Sequence, residues 1–433
     1  MKISLFQGIL FGVFGLGAVI GLFVFATYTN SDSGSGAVGT VVIWGTLPKE
    51  GIQNALNTIA QTETLLKSVS YVQKDEITLQ NDLASAIATG SSPDLILASQ
   101  ENLFSLSKFI TPIPSSMLPA STFSNAFIGE GNIFAASDGY YGMPFLVDPL
   151  VLFSNRSILS SEGIAKPPAT WEALTGLVPK VAILTPSRQI TRGLIALGSF
   201  DNVHNARGIL STLFIQTGVP MSEYSQGGVL FSDLGSSASS GVPPGQSVLG
   251  FYTQFADPSK VSYTWNASLT DSQQAFLAGD LALYIGYASE AKFFKEANPN
   301  LDFIVNPIPQ PATANAKSTY GLVYAFMIPT GTRNASGAFQ AAALLSNLEE
   351  QAISASQTGL APAVLSVLAA VPDDPASAVA YAEALYSKGW LSPEPIYTDS
   401  VFSSMIGNVI SGRLTISSAL VSAERSFSSL LQQ

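Results

Sequence analysis

His204 is the only histidine in this 433-residue chain, and there is no cysteine. A Ser-His-Asp relay would have to run through that one imidazole. No G-x-S-x-G elbow occurs, however, and FDNVHNARGIL around it reads as an amphipathic helix carrying the ring on its surface. The same inventory excludes metal centres built from His or Cys clusters, disulfides, thiolate nucleophiles and a lipid-modified amino-terminal cysteine. The carboxylate pairs Glu349-Glu350 and Asp373-Asp374 are adjacent in sequence and read as solvated helix and loop charges rather than a glycosidase pair. No Walker-type loop is present, the G-x-G at Gly15-Leu16-Gly17 lies inside an apolar run, and no cofactor is expected. The chain has an enzyme's length with little of an enzyme's equipment. It does offer polar and aromatic residues at strand ends, where open α/β sheets bind ligands.

Composition narrows the partners. Apolar residues make up 47% of the chain and charged residues 11%, with a net charge of -11 and no dense Lys/Arg stripe, which argues against nucleic acid. ISLFQGILFGVFGLGAVIGLFVFA, Ile3 to Ala26, holds no charge, and as a helix it would cross a hydrocarbon core of roughly 30 Å. Residues 1–29 therefore read as a transmembrane anchor, retained rather than cleaved, although Ser35-Gly36-Ala37 offers a cleavage site. Lys2 favours the amino terminus inside and the rest of the chain outside. Asn30 to Gly39 is a flexible linker by composition, and a monomer is expected.

Beyond the linker, strands and helices alternate. TVVIWG reads as a buried strand and is followed by a helix with Ile52, Leu56, Ile59 and Ala60 on one face. ITLQNDLASAIATG repeats the helical pattern and stops at Gly90, after which SSPDLILAS is a strand. YYGMPFLVDPLVLFSNRSIL, Tyr140 to Leu159, is an apolar strand oddly interrupted by Asp148-Pro149. Thr170 caps a helix after Pro167-Pro168, and FLAGDLALYIG reads as helix, Gly279 break and strand. This order predicts α/β layers with parallel pairing.

Four separated segments then resemble one family, the extracellular solute-binding proteins of ABC importers, in the cluster that includes maltose- and oligosaccharide-binding proteins. They are VVIWG with SSPDLILAS; YYGMPFLVDPLVLFSNRSIL with KPPATWEAL; FLAGDLALYIG; and YGLVYAFMIPTGTRNASGAFQAAALLSNLEEQAISASQTGLAPAV. Departures are Leu283 for a usual Met, Arg333 for a usual Lys, a single Gly321 after Tyr320, and a membrane span where relatives carry a lipidated Cys. The resemblance implies a two-lobe periplasmic-binding-protein-like fold of the hinge-closing type II. Lobe 1 would comprise 40–147 and 307–351, and lobe 2 148–306 and 359–433, with crossings near Leu146 to Leu150 and Val305 to Ile308.

It also implies a membrane-tethered receptor that captures a small polar solute, first of all a mono- or oligosaccharide, and hands it to an ABC permease. Ligand positions carried over are Trp44, Ser99, Gln100, Asp148, Trp265, Asn266, Tyr287 and Tyr320. Four of them have a second reading: core packing for Trp44, loop capping for Ser99 and Gln100, and hinge N-H groups satisfying the Asp148 carboxylate. Rival functions are an anchored carbohydrate-active hydrolase using Asp148 and a sensor or adhesion module on the same fold.

Overall fold

The structure, a computed structural model, describes residues 38–225, 228–235 and 241–432. The expected membrane span and the linker up to residue 37 lie outside these residues. Val38, assigned above to the flexible linker, is instead 1% exposed, and its carbonyl accepts from Asn334 Nδ2 at 3.0 Å. Among the described residues, no helix is long and apolar enough to cross a membrane.

Two compact units form. One holds the described residues up to Val147 together with Leu322–Val371; the other holds Asp148–Gly321 together with the described residues from Pro372 on.

The first unit starts from strand β1 (Val41–Gly45), whose burial alternates along VVIWG. Helix α1 (Lys49–Thr62) packs inward through Ile52, Ala55, Leu56 and Ile59, an i, i+3, i+4, i+7 stripe that takes Ala55 in place of the expected Ala60. Strand β2 (Val69–Gln73) pairs parallel to β1, Val41 opposite Val69. Helix α2 (Leu79–Ala88) gives way at Gly90, whose φ of 69° is left-handed and suits glycine. Strand β3 (Leu95–Ser99) pairs parallel on the other side of β1 and is buried along its whole length, as a parallel strand covered on both faces must be.

Strand β4 (Gly142–Asn155) is buried at all 14 positions and leaves the first unit between Val147 and Asp148. In the second unit follow β5 (Ile190–Ile195), α3 (Ala206–Gln216), α4 (Ser272–Ala278), β6 (Leu281–Tyr287), α5 (Glu290–Ala297) and β7 (Phe303–Asn306). Strand β6 lies antiparallel to β4, Tyr287 opposite Leu150, and parallel to β5. Apolar side chains of these elements meet in an aromatic cluster: Phe153, Phe276 and Tyr284 have ring centroids 5.1 to 5.3 Å from that of Phe294. Edge-to-face pairs of this kind add to plain area burial, and they account for the apolar half of β4 beyond Pro149.

Strand β8 (Thr319–Met327) re-enters the first unit after Gly321 and runs antiparallel to β3, Tyr324 opposite Ser99. Helix α6 (Leu348–Thr358) ends on Gly359 at φ 77°. Helices α7 (Pro395–Ile410) and α8 (Ile416–Leu430) close the second unit, where Trp390 packs on Phe427 and donates its indole N-H to Ser211 Oγ at 3.1 Å.

The units differ from the expected lobes at two places. Residues 307–321 stay with the second unit, because Gln216 Nε2 donates to both Pro309 O and Ser318 O at 2.9 Å. Residues 359–371 stay with the first, because Gln351 Oε1 accepts from Ala363 N at 2.9 Å and Val364 N at 3.0 Å. Side-chain amides satisfying loop backbone bind these segments, and such contacts leave no periodic trace in the sequence.

Candidate functional site

Strand β6 and helix α3 frame a pocket of about 400 Å³ in the second unit. Asp271 caps α4 by accepting from Gln273 N at 2.9 Å, and Gly279 ends that helix in the left-handed region at φ 83°, which turns the chain into β6. At the end of β6, Tyr287 reaches the pocket, the turn before α3 brings His204 and Asn205 beside it, and the first turn of α3 brings Arg207.

The polar groups there are arranged in pairs. Arg207 Nη1 lies 3.3 Å from Asp399 Oδ1, with the guanidinium side chain 19% exposed and the carboxylate 46%. His204 Nδ1 stands 3.5 Å from Asp271 Oδ2. Asp201 Oδ1 accepts from Ser403 Oγ at 2.8 Å. Carboxylates and a guanidinium beside the rings of Tyr287 and Phe200 form a surface that can accept from and donate to hydroxyls while an apolar ring face covers carbon. Among the described residues, no group of three or more His, Cys, Asp or Glu gathers to hold a metal ion.

The structure brings three of the expected ligand residues together. Tyr287 and Tyr320 meet at Gly208 of α3, where an added Cβ would lie 3.0 Å from Tyr287 OH, 3.0 Å from Leu150 Cδ1 and 3.3 Å from Tyr320 Cδ1. Asp148 joins them through the turn after β6: its Oδ1 accepts from Ser289 N at 3.1 Å and its Oδ2 from Ser289 Oγ at 2.6 Å. Burial pushes the Asp148 carboxyl up to about 7, with the Glu290 charge adding to the rise and the Ser289 bonds opposing it. Tyr320 is fully buried, its N-H donating to Thr212 Oγ1 at 3.1 Å. Gly208→Ala should therefore destabilise the fold by about 1–2 kcal/mol through overpacking. Urea denaturation checks this, and unchanged stability would mean that the two tyrosines yield freely.

Trp265 and Asn266 stand elsewhere. Trp265 is 1% exposed and packed behind the pocket turn, its Nε1 donating to Asn202 Oδ1 at 3.4 Å. Asn266 folds back locally, accepting from Ser268 N at 2.8 Å and donating to Tyr263 OH at 2.6 Å. Neither lines the pocket, but Asn202 Nδ2 donates to Asn266 O at 2.9 Å and so ties both to the turn that does.

The remaining three belong to the first unit. Trp44, half-buried and next to last in β1, has Lys74 Nζ 3.9 Å from its ring centroid. Ser99 ends β3 at 1% exposure with no hydrogen-bond partner for its Oγ. Gln100 is fully buried, and its Oε1 accepts from Val323 N at 2.6 Å, which fastens β8.

Sequence reasoning missed Asp201, Asn205, Arg207, Asp271 and Asp399. It placed His204 on a helix surface, whereas helix α3 starts only at Ala206 and His204 sits in the preceding turn. The signal was present: Asp201-Asn202 and Asn205 are turn formers, and their clustering outweighs the apolar spacing around them.

Residues 61–383 match the family model described as bacterial extracellular solute-binding protein. The chain belongs to this family. Several solved structures share the solute-binding fold. The cyclic alpha-maltosyl-1,6-maltose binding protein of Arthrobacter globiformis is 14% identical, with 92% of this chain and 100% of that one covered and a TM-score of 0.74. A cyclo/maltodextrin-binding protein complexed with maltotetraose is 16% identical over 93% of this chain and 99% of that one, with a TM-score of 0.72. The maltose/maltodextrin-binding domain of Bdellovibrio bacteriovorus, bound to maltotriose, is 15% identical over 91% and 100%, with a TM-score of 0.68. No curated protein matches the sequence.

Proposed function

We propose that this solute-binding protein captures a saccharide outside the cytoplasm and delivers it, without turnover, to the permease of an ABC importer. The observation that carries the reading is the pocket of the second unit, which Arg207, Asp201, Asp271 and Asp399 line together with Tyr287. Hydroxyls are both donors and acceptors, so a wall that carries three carboxylates and a guanidinium satisfies them in either sense. Similar structures support the class: they hold maltotetraose, maltotriose, mannobiose and alpha-D-tagatose, and the last is described as an ABC transporter solute-binding protein. Of the expected ligand residues, Tyr287 is the one this reading places on the solute; Asp148 supports the turn beside it. Tethering through Ile3 to Ala26 and bending where β4 and β8 pass between the units belong to the same proposal.

Isothermal titration of the full chain against those four sugars, acidic and basic amino acids and spermidine tests it. The expected result is saturable binding of at least one sugar, with the sugar recovered intact. Binding confined to amino acids or spermidine would overturn the saccharide assignment, and recovery of cleaved sugar would favour the hydrolase reading.

A further inference from the structure

Glu290 opens helix α5 and never reaches the pocket, yet its carboxylate collects groups from three elements around it. Oε1 accepts from Asn205 Nδ2 at 2.8 Å and from Tyr287 N at 2.8 Å, while Oε2 accepts from Tyr284 OH at 2.5 Å and from Gln273 Nε2 at 2.8 Å. Asn205 and Tyr287 line the pocket, and Gln273 stands two residues after Asp271, which lines it too. Asn205 Nδ2 also donates to Tyr284 OH at 2.8 Å, so the amide and the phenol are locked to each other as well as to the acid. Gly286 makes the room: a Cβ there would lie 2.7 Å from Glu290 Oε1 and 2.4 Å from Tyr284 Cε1. The adjacent Ser289 is held by Asp148, so the turn that carries Glu290 is itself fastened to β4.

A carboxylate with two oxygens has about four good acceptor directions, and here all are taken by the protein. It has none left for a solute, and the groups it holds include the ones that face one. From this geometry we infer that Glu290 is the positioning residue of the pocket: it sets the turn before α3, the end of β6 and the start of α4 in register with one another. The inference rests on the proposed reading only in that this pocket binds the solute. Charge-assisted hydrogen bonds to a shared acceptor are strong and cooperative, so removing the acceptor orphans four donors at once. The pKa direction of Tyr284 agrees, since burial first and then the Glu290 charge raise its phenol well above the ordinary value.

The test compares Glu290→Ala, Glu290→Gln and Tyr284→Phe in the full chain by hydrogen exchange, thermal unfolding and titration with maltotriose, maltotetraose, mannobiose and tagatose. Glu290→Ala should raise exchange about tenfold or more in peptides covering 199–208 and 271–287 and leave the α8 peptides unchanged. The affinity of whichever sugar binds the wild type should fall about tenfold when measured well below the unfolding temperature. Glu290→Gln should restore both to within about threefold, because the Tyr284 hydroxyl can turn to accept and Gln273 can flip its amide. Tyr284→Phe, which keeps the carboxylate, should give a smaller change in the same direction and covers the case in which Glu290→Ala does not fold. A lowered unfolding temperature with unchanged exchange at 199–208 and unchanged affinity would reduce Glu290 to a stabilising residue and overturn the inference. If the wild type binds none of the four sugars, the saccharide reading falls, while the exchange data still decide whether Glu290 positions the pocket.

Discussion

Arg207→Ala should lower saccharide affinity by roughly 2–3 kcal/mol, the worth of a hydrogen bond to a charged group, which is a factor of about 30 to 150. The guanidinium is the one strong cationic donor at the pocket, presented from the first turn of α3 and steadied by Asp399 at 3.3 Å. Removing it takes away the donor and leaves the Asp399 carboxylate without its counter-charge beside the bound solute. Stability should fall as well, by about 1–2 kcal/mol, because the Arg207 side chain is only 19% exposed and its stem packs against its surroundings, while Asp399 at 46% exposure can be solvated by water. Arg207→Lys separates the two contributions of the side chain. It keeps the charge but loses the planar fork, so its affinity should fall between wild type and alanine. Titration calorimetry with the best-binding sugar reads all three, with urea denaturation run alongside. An alanine variant that binds as tightly as the wild type would remove Arg207 from the site and, with it, much of the argument for a hydroxyl-rich solute.

How much of this was legible beforehand depends on whether the cause was local. Strands β1 and β3 with helices α1 and α2, the Gly279 break before β6 and the Thr170 cap, which accepts from Ala173 N at 3.3 Å, could be read directly, since each depends on spacing or on residues a few positions apart, whereas the short strand β2 between α1 and α2 went unread. Arg207 and Asp399 show the opposite case. They are separated by most of the carboxy-terminal half of the chain, and no local pattern announces that α3 and α7 will bring them together. Trp265 exposes another limit. A tryptophan near a strand end can stack on a sugar or fill a core, and only its 1% exposure tells the two apart. Asp148 was marked as anomalous by its apolar neighbours alone. The partner that explains it, Ser289, lies on the far side of β6 and so could not be named from the sequence. Turn signals were underweighted against apolar periodicity at 200–205, which hid the part of the pocket wall that this turn supplies.

Asp148 also carries the second large expectation, a dependence of stability on pH that runs opposite to that of most carboxylates. Burial pushes Asp148 up to about 7 from its ordinary 3.8, and it pushes Glu383, whose Oε2 accepts from Ile308 N at 3.4 Å, up to about 7 from 4.5. Between those limits the folded chain holds a proton that the unfolded chain has released. Stability contributed by each group is therefore full below about pH 4, falls as pH rises towards 7 and levels off above it. Raised pKa values of this size amount to roughly 3–4 kcal/mol per group at pH 8, the larger for Asp148, at 1.36 kcal/mol per pKa unit. Asp148→Asn and Glu383→Gln keep the shape and remove the charge. The Asn amide can accept from Ser289 N with its oxygen and donate to Ser289 Oγ with its nitrogen, so the turn after β6 need not move. Each variant should match the wild type near pH 4 and exceed it by pH 8, with the double variant close to the sum because the two carboxyls do not share a partner. Urea denaturation at pH 4.5, 6 and 8 checks this. A variant-minus-wild-type difference that stays flat across the three pH values would show that both carboxylates ionise normally in the folded chain, and Asp148 would then need a counter-charge or water where its bonds to Ser289 now account for it. The growth of that difference with pH separates the charge from the packing, which a single measurement at pH 7 cannot do.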